Sequence, residues 1–226
     1  MHIEPGMVDA AKIGLSYATA SAALLGVAKL SYDNIKENNI LPFLVKVLAS
    51  TLLVFTFFEV FPHYPIGVSE VHLIMGSTLF LLFGVAPASI GLALGLLVQG
   101  LFFAQFDLPQ YGMNVTSLII PLMGIAYLAK KVIPANIAYT ELKYSQVLKL
   151  SFAYQAGIVS WVGFWAFYGQ GFGAENLASI LSFGSAYMLV VIIEPLSDLA
   201  VLAFAKSLKD TFSKTNFIEK RVYNKA

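Results

Sequence analysis

The apolar residues of this chain fall in uninterrupted blocks long enough to cross a bilayer, and no other feature limits the possible fold as much. A helix needs about 20 predominantly apolar residues to span the hydrocarbon core. Apolar runs between breakers mark seven expected spans, near 8–30, 42–61, 71–85, 87–106, 115–133, 147–169 and 177–205. The third is short. Pro87, following Gly84, separates it from the fourth, and the pair reads either as two tilted helices or as a re-entrant hairpin. The seventh is interrupted by Glu194-Pro195. Composition agrees: only 12% of residues are charged, roughly half the share of a soluble domain, and the mean hydropathy is +0.76. The expectation is an all-α integral membrane protein, a bundle of about seven transmembrane helices. Residues 1–226 form a single transmembrane domain that ends in a basic tail, 206–226.

Lysine and arginine placement orients the chain. With seven spans, the segments 1–7, 62–70, 107–114 and 170–176 share one side and contain neither residue. The other side holds Lys36, Lys143, Lys206, Lys209, Lys214, Lys220, Arg221 and Lys225, with Lys29, Lys46, Lys130, Lys131 and Lys149 at helix ends facing it. The positive-inside rule then sets the N-terminus outside and the C-terminus in the cytoplasm. Lys12 alone is misplaced, and snorkelling from the start of the first span would accommodate it. The outer side is acidic, with Glu4, Asp9, Glu59, Glu70, Asp107 and Glu175. Such a surface is either ordinary loop solvation or an attractor of cations.

Several chemistries are excluded. Without cysteine there are no disulfides, thiolate metal sites or thiol nucleophiles. No Walker A pattern occurs, so ATP hydrolysis must reside on other chains, and HExxH and GxSxG are also missing. Nothing points to nucleic acid. The opening MHIEPGMVDAAK carries His2, Glu4 and Asp9 where a signal peptide has a basic region, so the mature chain is expected to begin at Met1.

Histidine is scarce, and all three residues, His2, His63 and His72, fall on the expected outer side. A free amine at Met1, the amide nitrogen of His2 and its Nδ1 can close fused five- and six-membered chelate rings on one ion. One further imidazole completes a square of nitrogens, which suits Ni(II) or Cu(II) and is accepted by Co(II). Either His63, in a proline-flanked loop, or His72, at the start of an apolar run, can supply it. Gln99, Gln105 and Asn114 are candidates to orient the imidazoles or tie down the terminus, or else to join helices by hydrogen bonds.

These residues also carry a resemblance. Met1-His2-Ile3 followed by Gly6, the run Gly67-Val68-Ser69-Glu70-Val71-His72, the run Leu96-Leu97-Val98-Gln99-Gly100-Leu101, and Gly112-Met113-Asn114 resemble, in order and approximate spacing, the CbiM/NikM family. These are the metal-binding membrane subunits of energy-coupling-factor cobalt and nickel transporters. The match runs to about residue 130; beyond it the likeness is one of hydropathy. Pro5 stands between Glu4 and the early glycine, and Gly76 is fourth rather than third after His72, both departures from the family pattern.

The resemblance implies a metal held by Met1, His2 and His72; Gln99, Asn114 and His63 are read from the residues as possible supporting groups. No permanent cofactor is implied, since Ni(II) or Co(II) is the transported substrate. It further implies a transmembrane coupling subunit, two ATPase subunits, an optional small accessory membrane subunit, and residence in a bacterial or archaeal cell membrane. Because the ligands must shed protons, affinity should rise with pH across the neutral range.

Two more features are open. Ala10, Gly14, Ala18, Ala22 and Gly26 recur every fourth residue, as for close helix packing inside the bundle or docking on the coupling subunit. Glu194 and Asp198 are costly inside a membrane and read as structural or coupling groups toward the cytoplasmic end. The competing functions are a transporter subunit for an organic micronutrient such as a vitamin, and an intramembrane enzyme.

Overall fold

A computed structural model describes residues 2–225; Met1, the first expected ligand, lies outside the described residues. The chain is mostly helical. Helices α1 (Gly14–Asn38), α2 (Ile40–Phe55), α3 (Gly76–Phe83), α4 (Val85–Phe102), α5 (Tyr111–Val132), α6 (Tyr144–Gln170), α7 (Ala174–Met188), α8 (Val190–Ser207) and the short α9 (Lys209–Phe212) follow one another. Five segments are long and apolar enough to cross a membrane: Ile40–Val60, Val85–Phe102, Gln105–Val132, Tyr144–Gln170 and Ala174–Ser207. Large apolar side chains on their outer faces, such as Leu44, Leu48, Leu52, Phe102, Ile192 and Leu196, are exposed, as lipid contact requires.

The expected first and third spans depart from this pattern. Residues 8–13 are not helical, and α1 instead runs on through 31–38, leaving Asn39 (φ 67°) as the only break before α2. Within α1, Ser, Thr and Tyr residues and the charged last turns dilute the apolar character. Most of the small-residue stripe faces out of the bundle, and only Gly26 is partly buried, near Met123 of α5. Gly14, Ala18 and Ala22 are exposed, whereas Ser16, Ala20 and Val27 face inward. In the third span only the eight residues of α3 are helical, about 12 Å at 1.5 Å per residue. Residues 72–75 ahead of it are non-helical, and Met75 takes a left-handed conformation (φ 53°). Such backbone is tolerated at membrane depth only inside protein, and every residue of α3 except Leu82 is buried.

Helices α2 and α4 pack closely because Gly91 and Gly95 have no side chains. A Cβ there would lie 2.1 Å from Ser50 Oγ and 2.5 Å from Val54 Cγ1. The last long segment breaks at Leu189, one turn and a half before the expected Glu194-Pro195. Pro195 sits inside α8, where its ring disturbs the turn preceding it.

Strands were not expected. Tyr64–Ile66 (β1) and Ser69–Val71 (β2) form an antiparallel hairpin across Gly67-Val68, and Ile3 bridges to Ser69 as a third, single-residue strand. Gly67 is needed twice over. Its φ is 65°, as a tight two-residue hairpin demands, and a Cβ would fall 2.1 Å from the Ser179 carbonyl oxygen of α7. Lys12, expected to snorkel, instead donates to the carbonyls of Tyr168 and Gly169 (3.1 Å each), satisfying the open C-terminal end of α6. At the opposite end the tail folds back. Glu219 N donates to Leu82 O (2.6 Å), and Arg221 donates to the carbonyls of Ile133 and Pro134.

Candidate metal centre

The amino-terminal strand carries His2 into the protein. Its carbonyl accepts Glu70 N (3.0 Å) and Ser69 Oγ (2.8 Å), and Glu4 N donates to Val68 O. Asn114, near the start of α5, accepts the Ile3 N–H at 2.9 Å. Pinned on both sides, the His2 side chain is only 3% exposed.

Hydrogen bonding decides which nitrogen of His2 is free. The Gln99 amide Nε2 donates to Phe58 O (3.3 Å) and Glu59 Oε2 (3.2 Å), so its Oε1 is the atom that meets His2 Nε2, at 2.8 Å. Gln99 Oε1 can only accept, hence His2 Nε2 carries a proton, and in the neutral ring Nδ1 keeps its lone pair. Asp107 Oδ2 approaches Nδ1 to 2.8 Å, but off the hydrogen-bonding direction, and Nδ1 has no hydrogen-bond partner.

His72 repeats the pattern. It is 1% exposed, and its Nε2–H donates to Glu70 Oε2 at 2.9 Å, leaving Nδ1 buried without a partner. The rings of His2 and His63 both lie against it. The His2 and His72 rings lie 5.4 Å apart between centroids. Ligand atoms of His2, Glu70 and His72 fall within 4.8 Å of one another, a spacing one metal ion can bridge.

The remaining expected residues divide. His63 stacks face to face on His72 (4.7 Å, 14°) and gives its Nδ1–H to Phe61 O, so it covers the site with its ring face. Gln99 and Asn114 touch the amino-terminal strand as described. Gln105 does not join them; it is exposed and donates to Leu101 O within its own turn.

The sequence marks Glu70 and Asp107 as part of the acidic outer surface, and Glu70 also as part of the run Gly67–His72, but neither as a neighbour of the imidazoles. Glu70 and His72 stand two apart in extended chain, and residues at that spacing share a face; the signal was present in Glu70-Val71-His72. Burial, with Glu70 and Asp107 close by, raises the Glu4 pKa above its usual 4.5, a mark of crowded negative charge. Phe58 and Glu59 lie on a π-helical turn, Thr56–Val60, a distortion frequent at functional sites.

Glu194 and Asp198 are both wholly buried. Ser77 and Thr78 at the start of α3 donate to Asp198, and Ser151 and Gln155 of α6 donate to Glu194.

Fold and site together define a multi-pass helical membrane protein with two imidazoles and several carboxylates gathered beneath its amino terminus. The chain belongs to the CbiM family: the model of the cobalt uptake substrate-specific transmembrane region covers residues 2–211. Two solved structures share the fold. One, described as a transition metal transporter, superposes with a TM-score of 0.70 at 17% identity over 94% of this chain and 95% of its own. The other, a truncated transition metal transporter, gives 0.67 at 18% identity over 92% and 99%. No curated protein matches the chain.

Proposed function

We propose that this protein is the substrate-capturing membrane subunit of an energy-coupling-factor transporter that imports Ni(II) or Co(II). The ion is held by the Met1 amine, the amide nitrogen and Nδ1 of His2, and Nδ1 of His72. The observation that carries this is the pair of buried Nδ1 atoms without a hydrogen-bond partner, each on a ring whose Nε2–H is held by an acceptor, with the Asp107 carboxylate beside that of His2. Fixing the outer nitrogen of a metal-binding histidine in this way is how neighbouring groups set the tautomer and raise ligand basicity. Glu70 and Asp107 add negative charge close to the ion.

Seven passes, with the amino terminus outside, agree with the contacts at the two ends of the bundle. His2, Ile3 and Met7 meet Gln99, Asn114 and Gln170, at one end of α4, α5 and α6. At the other end Glu219, Arg221 and Tyr223 meet Leu82, Ile133 and Ala205. The lysine-rich tail marks that second end as cytoplasmic. The exposed stripe of Gly14, Ala18 and Ala22 offers a close-packing face to a coupling subunit, which with two ATPase subunits and an optional accessory membrane subunit powers uptake across a bacterial or archaeal cell membrane.

His2→Ala and His72→Ala, purified from membranes with the native terminus, are each expected to lose tight Ni(II) and Co(II) binding by calorimetric titration. Unchanged affinity in either variant contradicts the ligand set.

A further inference from the structure

The metal centre leaves one buried constellation unused. Glu194 and Asp198 stand one turn apart on α8 at 0% exposure, and among the described residues neither makes an ion pair. Two carboxyl groups inside a membrane protein are costly unless neutralised by protons or by a cation.

A structural role accounts for some of their oxygens and not for others. Asp198 receives the hydroxyls of Ser77 (2.7 Å) and Thr78, which ties α8 to the start of α3. Glu194 Oε2 receives both Ser151 Oγ (2.5 Å) and Gln155 Nε2 (2.6 Å). Glu194 Oε1 and Gln155 Oε1, however, are buried with no partner, although both belong to side chains at 0% exposure. The Tyr154 hydroxyl is likewise unpartnered, and its ring occupies the space that a Cβ on Gly76 would fill. The missing side chain at position 76 thus lets the Tyr154 ring and its hydroxyl reach the start of α3, whose Ser77 and Thr78 hold Asp198. Two bare acceptor oxygens and a phenolic oxygen that can also accept are what a cation's ligand shell uses, and what simple cross-bracing does not.

The backbone supports the same conclusion. His72 and Ser77 are joined by residues 73–76, non-helical through the left-handed Met75. Discontinuous helices of this kind line ion sites and pathways in transporters. The geometry points to a second, all-oxygen cation site formed by Glu194, Asp198, Gln155 and Tyr154, which receives the divalent cargo after it leaves the imidazoles. The step from nitrogen to oxygen ligands exchanges a tight planar site for a looser one, and the entering cation displaces the protons that neutralise the acid pair. The role in passage rests on the transport reading; the existence of the site does not.

The test uses the full chain with its native terminus in nanodiscs and Mn(II) as probe, since oxygen ligands suit that ion. In the His2→Ala/His72→Ala double variant, electron paramagnetic resonance should still detect one bound Mn(II). Adding Glu194→Gln and Asp198→Asn should abolish it. Gln155→Glu in the double variant should strengthen Mn(II) binding and make the thermal midpoint rise with Mn(II), an effect that cross-bracing alone cannot give. No bound Mn(II) in the double variant, equal binding after the amide substitutions, or no Mn(II)-dependent midpoint in Gln155→Glu overturns the inference. If wild type binds Ni(II) through the histidines while these tests fail, only the interior site falls. If Mn(II) binds here but Ni(II) ignores His2 and His72, the proposed function falls and this site stands.

Discussion

His2 and His72, seventy positions apart in the chain, bring their imidazoles to 5.4 Å with the Nδ1 atom of each buried and unpartnered. Neither ring achieves this alone. Gln99 accepts from one Nε2–H and Glu70 from the other, as groups that orient metal-binding imidazoles do.

The tautomers can be checked directly. In ¹⁵N spectra of the metal-free protein, both His2 and His72 should show protonated Nε2 and pyridine-like Nδ1. A His72 ring that carries its proton on Nδ1 contradicts the site described.

Gln99 touches no metal in this account, yet it decides the His2 tautomer. Gln99→Leu should weaken Ni(II) affinity by about 10–100-fold, as loss of such orienting groups does, while helical content by circular dichroism stays unchanged. Unaltered affinity would mean that the hydrogen bond from His2 Nε2 is incidental.

Glu4 offers a pH-linked test. Its pKa is raised, first by burial and then by the charges of Glu70 and Asp107. The folded chain therefore holds a proton that the unfolded chain releases. The associated stability is complete below the ordinary value of 4.5 and is lost as pH rises through the higher folded value. At neutral pH the metal-free protein bears a charge penalty that a bound cation relieves. Glu4→Gln should accordingly raise the thermal midpoint of the metal-free protein at neutral pH, with little change near pH 4, and should shrink the further gain on adding Ni(II). A lower midpoint at neutral pH would contradict this.

Much of the fold was legible because membrane spans announce themselves through long apolar runs. What hydropathy could not reveal was where a run stops being helical. Residues 71–85 are apolar but for His72, Ser77 and Thr78, yet helix α3 is confined to Gly76–Phe83, and its start, just after the unwound stretch, is held by Ser77 with Asp198, 121 residues away. The small-residue stripe of α1 was ambiguous for a related reason: Ser16 and Ala20 are small as well, and packing chose their face over that of Gly14 and Ala18. At the proposed site, the Met1-His2 opening suggests chelation by local chemistry alone, and of the two residues only His2 is described. The contribution of Asp107 depends on the turn Gln105–Gln110 folding over the amino-terminal strand, a contact that no local pattern records.

Whether the amino terminus itself binds the metal can be decided by a single comparison. Ni(II) and Co(II) are titrated into the purified protein with its native Met1 and into a form extended by Gly-Ser ahead of Met1. The account predicts one tightly bound ion in the native form and loss of that tight site in the extended form, since the extension removes the amine from its chelate ring. Equal affinity in the two forms would contradict it and move the ligand set to side chains alone.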